Sequence, residues 1–186
     1  MKYSSRRILI GVDDSEASIR VLEYVADLVR DSSEFDVHVF HAVGPVPLEL
    51  REFGGAENPQ TEAQLDSQLH QKRDRWIRAA ESEAHPLLEN ARLQLSALGI
   101  QKTPVTTHLI VLQDTQDFIG EILKTASKNR CGTIVVGQSS FPWFKELFAS
   151  HTGEELLKQS KDFAICVVHY QLCRERHNAL RGRADH

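Results

Sequence analysis

Two stretches of the chain carry residues able to do chemistry. Asp13, Asp14 and Ser15 directly follow the apolar run Ile8 to Val12. Gly137, Ser140, Ser150, His151 and Thr152 follow the run Thr133 to Val136. Carboxylates at a strand end can cap a helix, accept hydrogen bonds from a ligand, or hold a cation through oxygen. The second stretch suits an anion. Thr152 and Glu155 have capping-box spacing, and Leu156 and Leu157 begin an apolar face, so a helix starts there. Its first turn presents N–H groups and positive dipole to a phosphate.

The elements that must position these residues follow from periodicity. Continuous β-branched or apolar runs predict buried strands over 8–12, 37–43, 105–112, 133–136 and 163–168. Between them, Ile19, Leu22, Val25, Leu28 and Val29 keep helical spacing to about Arg30. Leu65 through Leu98 keeps it for much longer, with Pro86 inside, where the helix should kink or divide, and Gly99 as C-cap. Phe118, Ile119, Ile122, Leu123 and Ala126 mark a third helix, and a short one follows Thr152. Residues 44–60 hold Pro45, Pro47, Gly54, Gly55 and Pro59 and predict an irregular loop. The alternation implies an α/β three-layer sandwich: a five-stranded, mainly parallel sheet with helices on both faces. Residues 1–170 form one domain, and 171–186 is a polar, Arg-bearing tail.

Composition bounds the function. At 186 residues and 41% hydrophobic, the chain can bury one sizeable core. A net charge of −4 gives no electrostatic case for nucleic acid. The three cysteines form no CxxC pair, as expected of a reducing cytoplasm. No signal-like apolar segment opens the sequence, and its apolar runs of about five residues fall far below the roughly 20 that span a bilayer. A cytoplasmic protein without a membrane partner is expected.

Ile8-Leu-Ile-Gly-Val-Asp-Asp-Ser-Glu-Ala-Ser18, running into Leu22 to Ala26, resembles the opening of the universal stress protein family. Thr133-Ile-Val-Val-Gly137 and Ala164-Ile-Cys-Val-Val168 resemble its close. The likeness spans about Arg6 to Tyr170; the 44–60 loop and the tail fit it poorly. It implies an adenine nucleotide α-hydrolase-like fold, often dimerised through the last strand. Many members bind ATP through Gly-x-x-Gly, nine residues, then Gly-Ser or Gly-Thr. On this chain those positions are Gly137, Ser140, the spacer Phe141 to Ala149, Ser150 and His151. The spacer length is kept, but serine replaces two of the three glycines. A Cβ there obstructs the approach of backbone N–H groups to phosphate.

The nucleotide set implied by the resemblance is Asp13, Val43, Gly137, Ser140, Ser150, His151 and Thr152, with ATP and Mg²⁺ as the candidate ligands and no cofactor assured. Asp13 stands where the family aspartate meets the adenosine end of the nucleotide. The alternative is that Asp13 or Asp14 only caps the first helix. Asp14 stands where the family has glycine, and its carboxylate would repel a triphosphate unless a cation intervened. The spacer's Pro142, Trp143, Phe144 and Phe148 either cover the cleft or present a patch to a protein partner the sequence does not name.

Other chemistries are weaker. The Asp13–Asp14 pair with Asp114 resembles the acidic set of a phosphoacceptor receiver, but the helix through Trp76 is too long for one. The nine histidines show no metal spacing, and His38 and His41 fall on opposite strand faces. His169 on the last strand is structural by default. Cys131 has no assured base, and no nucleophile elbow appears. The sequence therefore points to a dimeric stress-response regulatory or binding protein with impaired ATP binding, not an enzyme. The alternative is an ATP-binding stress protein using the altered loop, with at most slow hydrolysis.

Overall fold

A computed structural model describes residues 3–30, 32–51, 59–101, 103–114, 118–137 and 162–169. β1 (Ser4–Gly11) lies at the middle of a five-stranded sheet. β2 (Asp36–Val43) and β3 (Val105–Val111) lie to one side, and β4 (Cys131–Gly137) and β5 (Ala164–Val168) to the other. The order is β3-β2-β1-β4-β5 and every pairing is parallel, so the sheet is wholly parallel.

Parallel strands need crossover helices, and those helices bury the sheet. α1 (Glu16–Val29) and α2 (Pro59–Ala97) cover one face. There Ile8, Ile10 and Val12 meet Val21, Leu22 and Val25 of α1 and Leu88, Ala91 and Leu95 of α2. α3 (Phe118–Lys128) covers the other face, where Leu9, Phe40, Ile134 and Val136 meet Phe118, Ile119 and Ile122. This assignment follows from right-handed crossovers. The first two crossovers advance toward β3 and the third runs back past β1, so its helix lands on the opposite side.

Three local details depart from the sequence expectations. β1 starts at Ser4 rather than Ile8, with a largely exposed amino half that carries no apolar signal. Its pairing with β4 jumps from Ser4↔Cys131 to Ile8↔Thr133, so residues bulge out of register between them. Pro86 does not divide α2, which runs unbroken from Pro59 to Ala97. Its ring lies on the exposed side, while Ala84 and Leu88 take the buried side. Among its described residues the 44–60 loop holds a 3₁₀ turn, Leu48–Leu50, and α2 begins at Pro59.

α2 closes as expected. Gly99 is left-handed at φ 99°, its N–H reaches the Ser96 carbonyl at 3.1 Å, and the Ile100 N–H reaches that of Leu95 at 3.0 Å. That is a Schellman closure, and Leu95 and Ile100 are both buried in the same core.

Glycine is required at the bulge. A Cβ on Gly132 would lie 2.7 Å from the carbonyl carbon and oxygen of Ser4, and 2.9 Å from the Ser5 nitrogen. A Cβ on Gly120, inside α3, would meet nothing within 4 Å. Gly132→Ala is therefore expected to cost roughly 1–3 kcal/mol, and Gly120→Ala to stabilise by about 0.5–1 kcal/mol. Urea denaturation of both variants checks this. Equal midpoints would show that the bulge accommodates a side chain.

Candidate functional site

In an open α/β sheet the ligand crevice lies at the carboxyl ends of the strands where the winding direction reverses. Here that point lies between β1, which leads toward β2, and β4 on its other side. Asp13 leaves β1 there, and Gly137 ends β4 beside it. The strand order also differs from the 2-1-3-4-5 order of receivers, which removes that alternative. Asp114 is held instead by Arg51, at 3.0 Å.

The Asp13 carboxylate is occupied by its own loop. Its Oδ1 accepts from the Ser15 N–H at 3.0 Å and from the Ser15 and Ser18 hydroxyls at 2.5 Å each. The Asp13 N–H in turn donates to Ser18 Oγ at 2.7 Å. Ser18 is a buried polar residue, and this exchange pairs its hydroxyl both ways. Ser15 is the N-cap of α1 but makes no side-chain cap bond; its hydroxyl turns to Asp13. These bonds form a turn ahead of α1 and occupy Oδ1, while the N-cap position itself is Ser15 rather than Asp13 or Asp14. Oδ2 takes part in none of these bonds.

Beside this loop a cavity of about 380 Å³ opens between α1 and α2. Asp13, Asp14 and Glu83 bring three carboxylates to it, Asn90 and Gln94 bring amides, and Ile19, Leu22 and Leu87 form its apolar wall. No Lys, Arg or His is among the described residues that line it. Asp14 thus faces the same space as Asp13, and α2 adds a third acid that spacing alone could not place there.

Val43 ends β2 half-buried, its carbonyl accepting from the Leu112 N–H at 2.9 Å. Gly44 then turns the chain away at φ 116°. Gly137 is buried and pairs with Val168. Ser140, Ser150, His151 and Thr152 lie outside the described residues, as do the Phe141–Phe148 cluster and the 171–186 tail.

A second polar group lies at the opposite end of the sheet. His38 Nδ1 and His108 Nε2 are 2.9 Å apart, with their rings stacked at 5.2 Å between centroids. One ring must donate and the other accept, so the neutral pair satisfies this bond. Burial is the largest influence on both imidazoles and holds them below the ordinary histidine value. Arg7 adds to that lowering at His38 against an opposing Asp36, and His38 and Lys128 add to it at His108. His41 points elsewhere and donates from Nδ1 to the Val12 carbonyl at 2.8 Å, tying β2 to the exit of β1. His169 is exposed just past β5. Cys131 is fully buried, and burial pushes its thiol up to about 12, so it packs rather than reacts.

The family model for universal stress proteins matches residues 4–162. The chain belongs to the universal stress protein family. No curated protein sequence matches it. Among solved structures it is similar to the hypothetical protein MJ0577, with TM-score 0.59, 18% identity, and 90% of this chain and 97% of that one covered. It is similar to a universal stress protein from Burkholderia pseudomallei at TM-score 0.54 and 14% identity, covering 88% and 96%. A third is a universal stress protein in complex with cAMP, at TM-score 0.53 and 14% identity, covering 88% and 95%. At these identities the likeness is one of fold, and the adenine nucleotide α-hydrolase-like α/β class is the one observed.

In this universal stress protein, sequence reasoning placed Asp13, Val43 and Gly137 at strand ends and missed Glu83, Asn90 and Gln94. It also missed His108. A histidine in a predicted third strand was the only signal, and nothing in the sequence states which β2 residue it opposes.

The histidine pair implies a pH dependence. Both folded-state values lie below the unfolded 6.5, so the unfolded chain binds more protons as pH falls. Their contribution is complete above 6.5 and declines as pH falls through 6.5 toward the folded values. The melting temperature is therefore expected to hold near pH 7–8 and to fall between about 6.5 and 5. His38→Asn with His108→Asn should flatten that interval; an unchanged slope would assign it to other groups.

Proposed function

We propose that this universal stress protein is a cytoplasmic regulatory binding module, working as a homodimer, whose crevice retains little affinity for ATP. The observation that carries this reading is the state of the crevice acids. Asp13 Oδ1 is saturated by Ser15 and Ser18, and Asp14 and Glu83 line the adjoining cavity without a cationic side chain among its described lining residues. A triphosphate entering there meets like charge, which costs affinity unless a divalent ion enters with it. The serines at Ser140 and Ser150 add to the obstacle by sequence.

One reading competes. The structural relative that holds cAMP carries a single phosphate, which repels these acids less than a triphosphate does. Asp13 Oδ2 remains able to accept from a ribose hydroxyl. An altered adenine-nucleotide site with at most slow hydrolysis follows from that.

Calorimetric titration with ATP and Mg²⁺ separates the two. The expected outcome is an affinity weaker than about 1 mM, with no adenine nucleotide in the supernatant of heat-denatured protein. Stoichiometric co-purified nucleotide would remove the first reading. Absence of any heat with AMP, cAMP and ATP at millimolar concentration would remove the second.

The homodimer is proposed on the edge position of β5. Val167 is 39% exposed on it, β5 is at the edge of the sheet among the described strands, and an apolar edge strand invites pairing. Pairing across a two-fold axis would cover both copies at once. Sedimentation velocity should show a dimer that Val167→Lys converts to monomer. A monomeric native protein at about 100 μM, far above the Kd of a stable dimer, would exclude this interface.

A further inference from the structure

A cavity of about 320 Å³ lies at the amino end of the sheet, away from the crevice. β1 brings Arg7 to it, β2 brings Asp36 and His38, β3 brings Thr106, and the turn after α3 brings Lys128, Asn129 and Arg130. Three cations therefore meet one carboxylate. That carboxylate is already held: Arg7 Nε donates to Asp36 Oδ2 at 2.9 Å. Lys128 and Arg130 have no ion-pair partner among the described residues.

The turn that carries these cations is fixed from both sides. Arg7 Nη1 donates to the Asn129 carbonyl at 3.3 Å, and the Asn129 side chain donates to the Thr125 carbonyl at 2.8 Å. The Arg130 carbonyl accepts from the Ser4 N–H at 3.1 Å. The backbone also breaks a local rule there. Arg130 sits at φ 56°, left-handed, directly after a helix, where glycine or asparagine is the ordinary choice. A helix C-terminus favours a cation, which accounts for Lys128. It does not account for arginine at a strained position. A side chain kept at such a place is a candidate for function.

We propose that this cavity is a binding site for a phosphate-class oxyanion borne by a small molecule, with Arg7, Lys128 and Arg130 as its ligands. The Arg130 guanidinium presents paired donors to such an anion, Arg7 adds its Nη2 beyond the bonds it makes to Asp36 and Asn129, and the lysine adds a point charge. The Thr106 hydroxyl supplies a shorter-range donor, and the outer ring nitrogen of His38 supplies another in the tautomer whose Nδ1 accepts from His108 and in the protonated ring. The volume is at the small end of ligand cavities, which fits a single phosphate on a small body. The histidine pair couples the site to pH. One added proton leaves the N–H···N bond between His38 and His108 intact, and a nearby anion favours that protonated state. The groups facing the pair are Arg7 from β1, Asp36 from β2 and Lys128 from α3. Of these only Asp36 favours the proton, so a bound anion changes the balance.

Thermal melts of the full chain with inorganic phosphate, against sodium chloride at equal ionic strength, test this. A saturable rise in melting temperature is expected with phosphate alone, together with a downfield movement of the His38 or His108 ring protons. Ribose 5-phosphate distinguishes the sources: a tighter response than inorganic phosphate assigns a phosphorylated small molecule, and an equal one assigns the free ion and overturns that part. Arg130→Gly relieves the strained turn, so it should leave the ligand-free melting temperature unchanged or higher while removing the phosphate response. Lys128→Gln should weaken that response about 5- to 10-fold, the effect of roughly one screened charge contact. A phosphate response equal to that of chloride, or one that persists in Arg130→Gly, would overturn the proposal. Because the cavity is at the far end of the strands, either result is independent of nucleotide binding in the crevice.

Discussion

β1 has no face of its own to show to water beyond its first residues. Ile8, Leu9 and Ile10 are all essentially inaccessible, and consecutive side chains on a strand point to opposite sides. Both sides must therefore be covered by something else. α1 and α2 supply one cover and α3 the other, and the strands beside β1 satisfy its backbone. The parallel arrangement follows from the same demand, because each crossover returns the chain to the same end of the sheet after depositing a helix. The reversal of winding beside β1, and with it the crevice, is a by-product of covering both faces.

The two ends of the sheet differ in charge. Acids gather at the carboxyl end, where α1 begins: Asp13, Asp14 and Glu16. Bases gather at the amino end, where α3 finishes: Lys128 and Arg130, with Arg7 nearby. Each sign complements the helix pole it faces. Helix N-termini at the carboxyl end attract phosphate, and here the described side-chain acids share that end. The amino end, ordinarily the negative pole of the helices, has become the positively lined one.

Local bonds account for how rigidly these groups are held. Asp13, Ser15 and Ser18 close a ring of hydrogen bonds that starts α1 and fixes the strand exit. His41 secures the same exit from the neighbouring strand through the Val12 carbonyl. At the other end, Arg7 links β1 to β2 through Asp36 and to the turn before β4 through Asn129. Both are charge-assisted or buried networks, in which removing one member leaves another unpaired.

Much of the fold was legible in the chain. Apolar runs marked all five strands, because strands buried on both faces need continuous hydrophobic sequence. Gly99 marked a helix end because only a left-handed residue closes it that way. The apolar runs before Asp13 and up to Gly137 placed these residues at the carboxyl ends of β1 and β4, since strand ends are set by local sequence. The rest depended on contacts between distant segments. Residues 4–7 carry no apolar pattern and become strand only by bulging against Gly132. Pro86 could stay inside α2 because its ring fell on the exposed side. His38 met His108, and Asp14 came to share a cavity with Glu83, only through parallel register and helix placement. Neither is encoded by spacing within one element: a parallel neighbour arrives after a long crossover, and its alignment is decided by how the whole core packs.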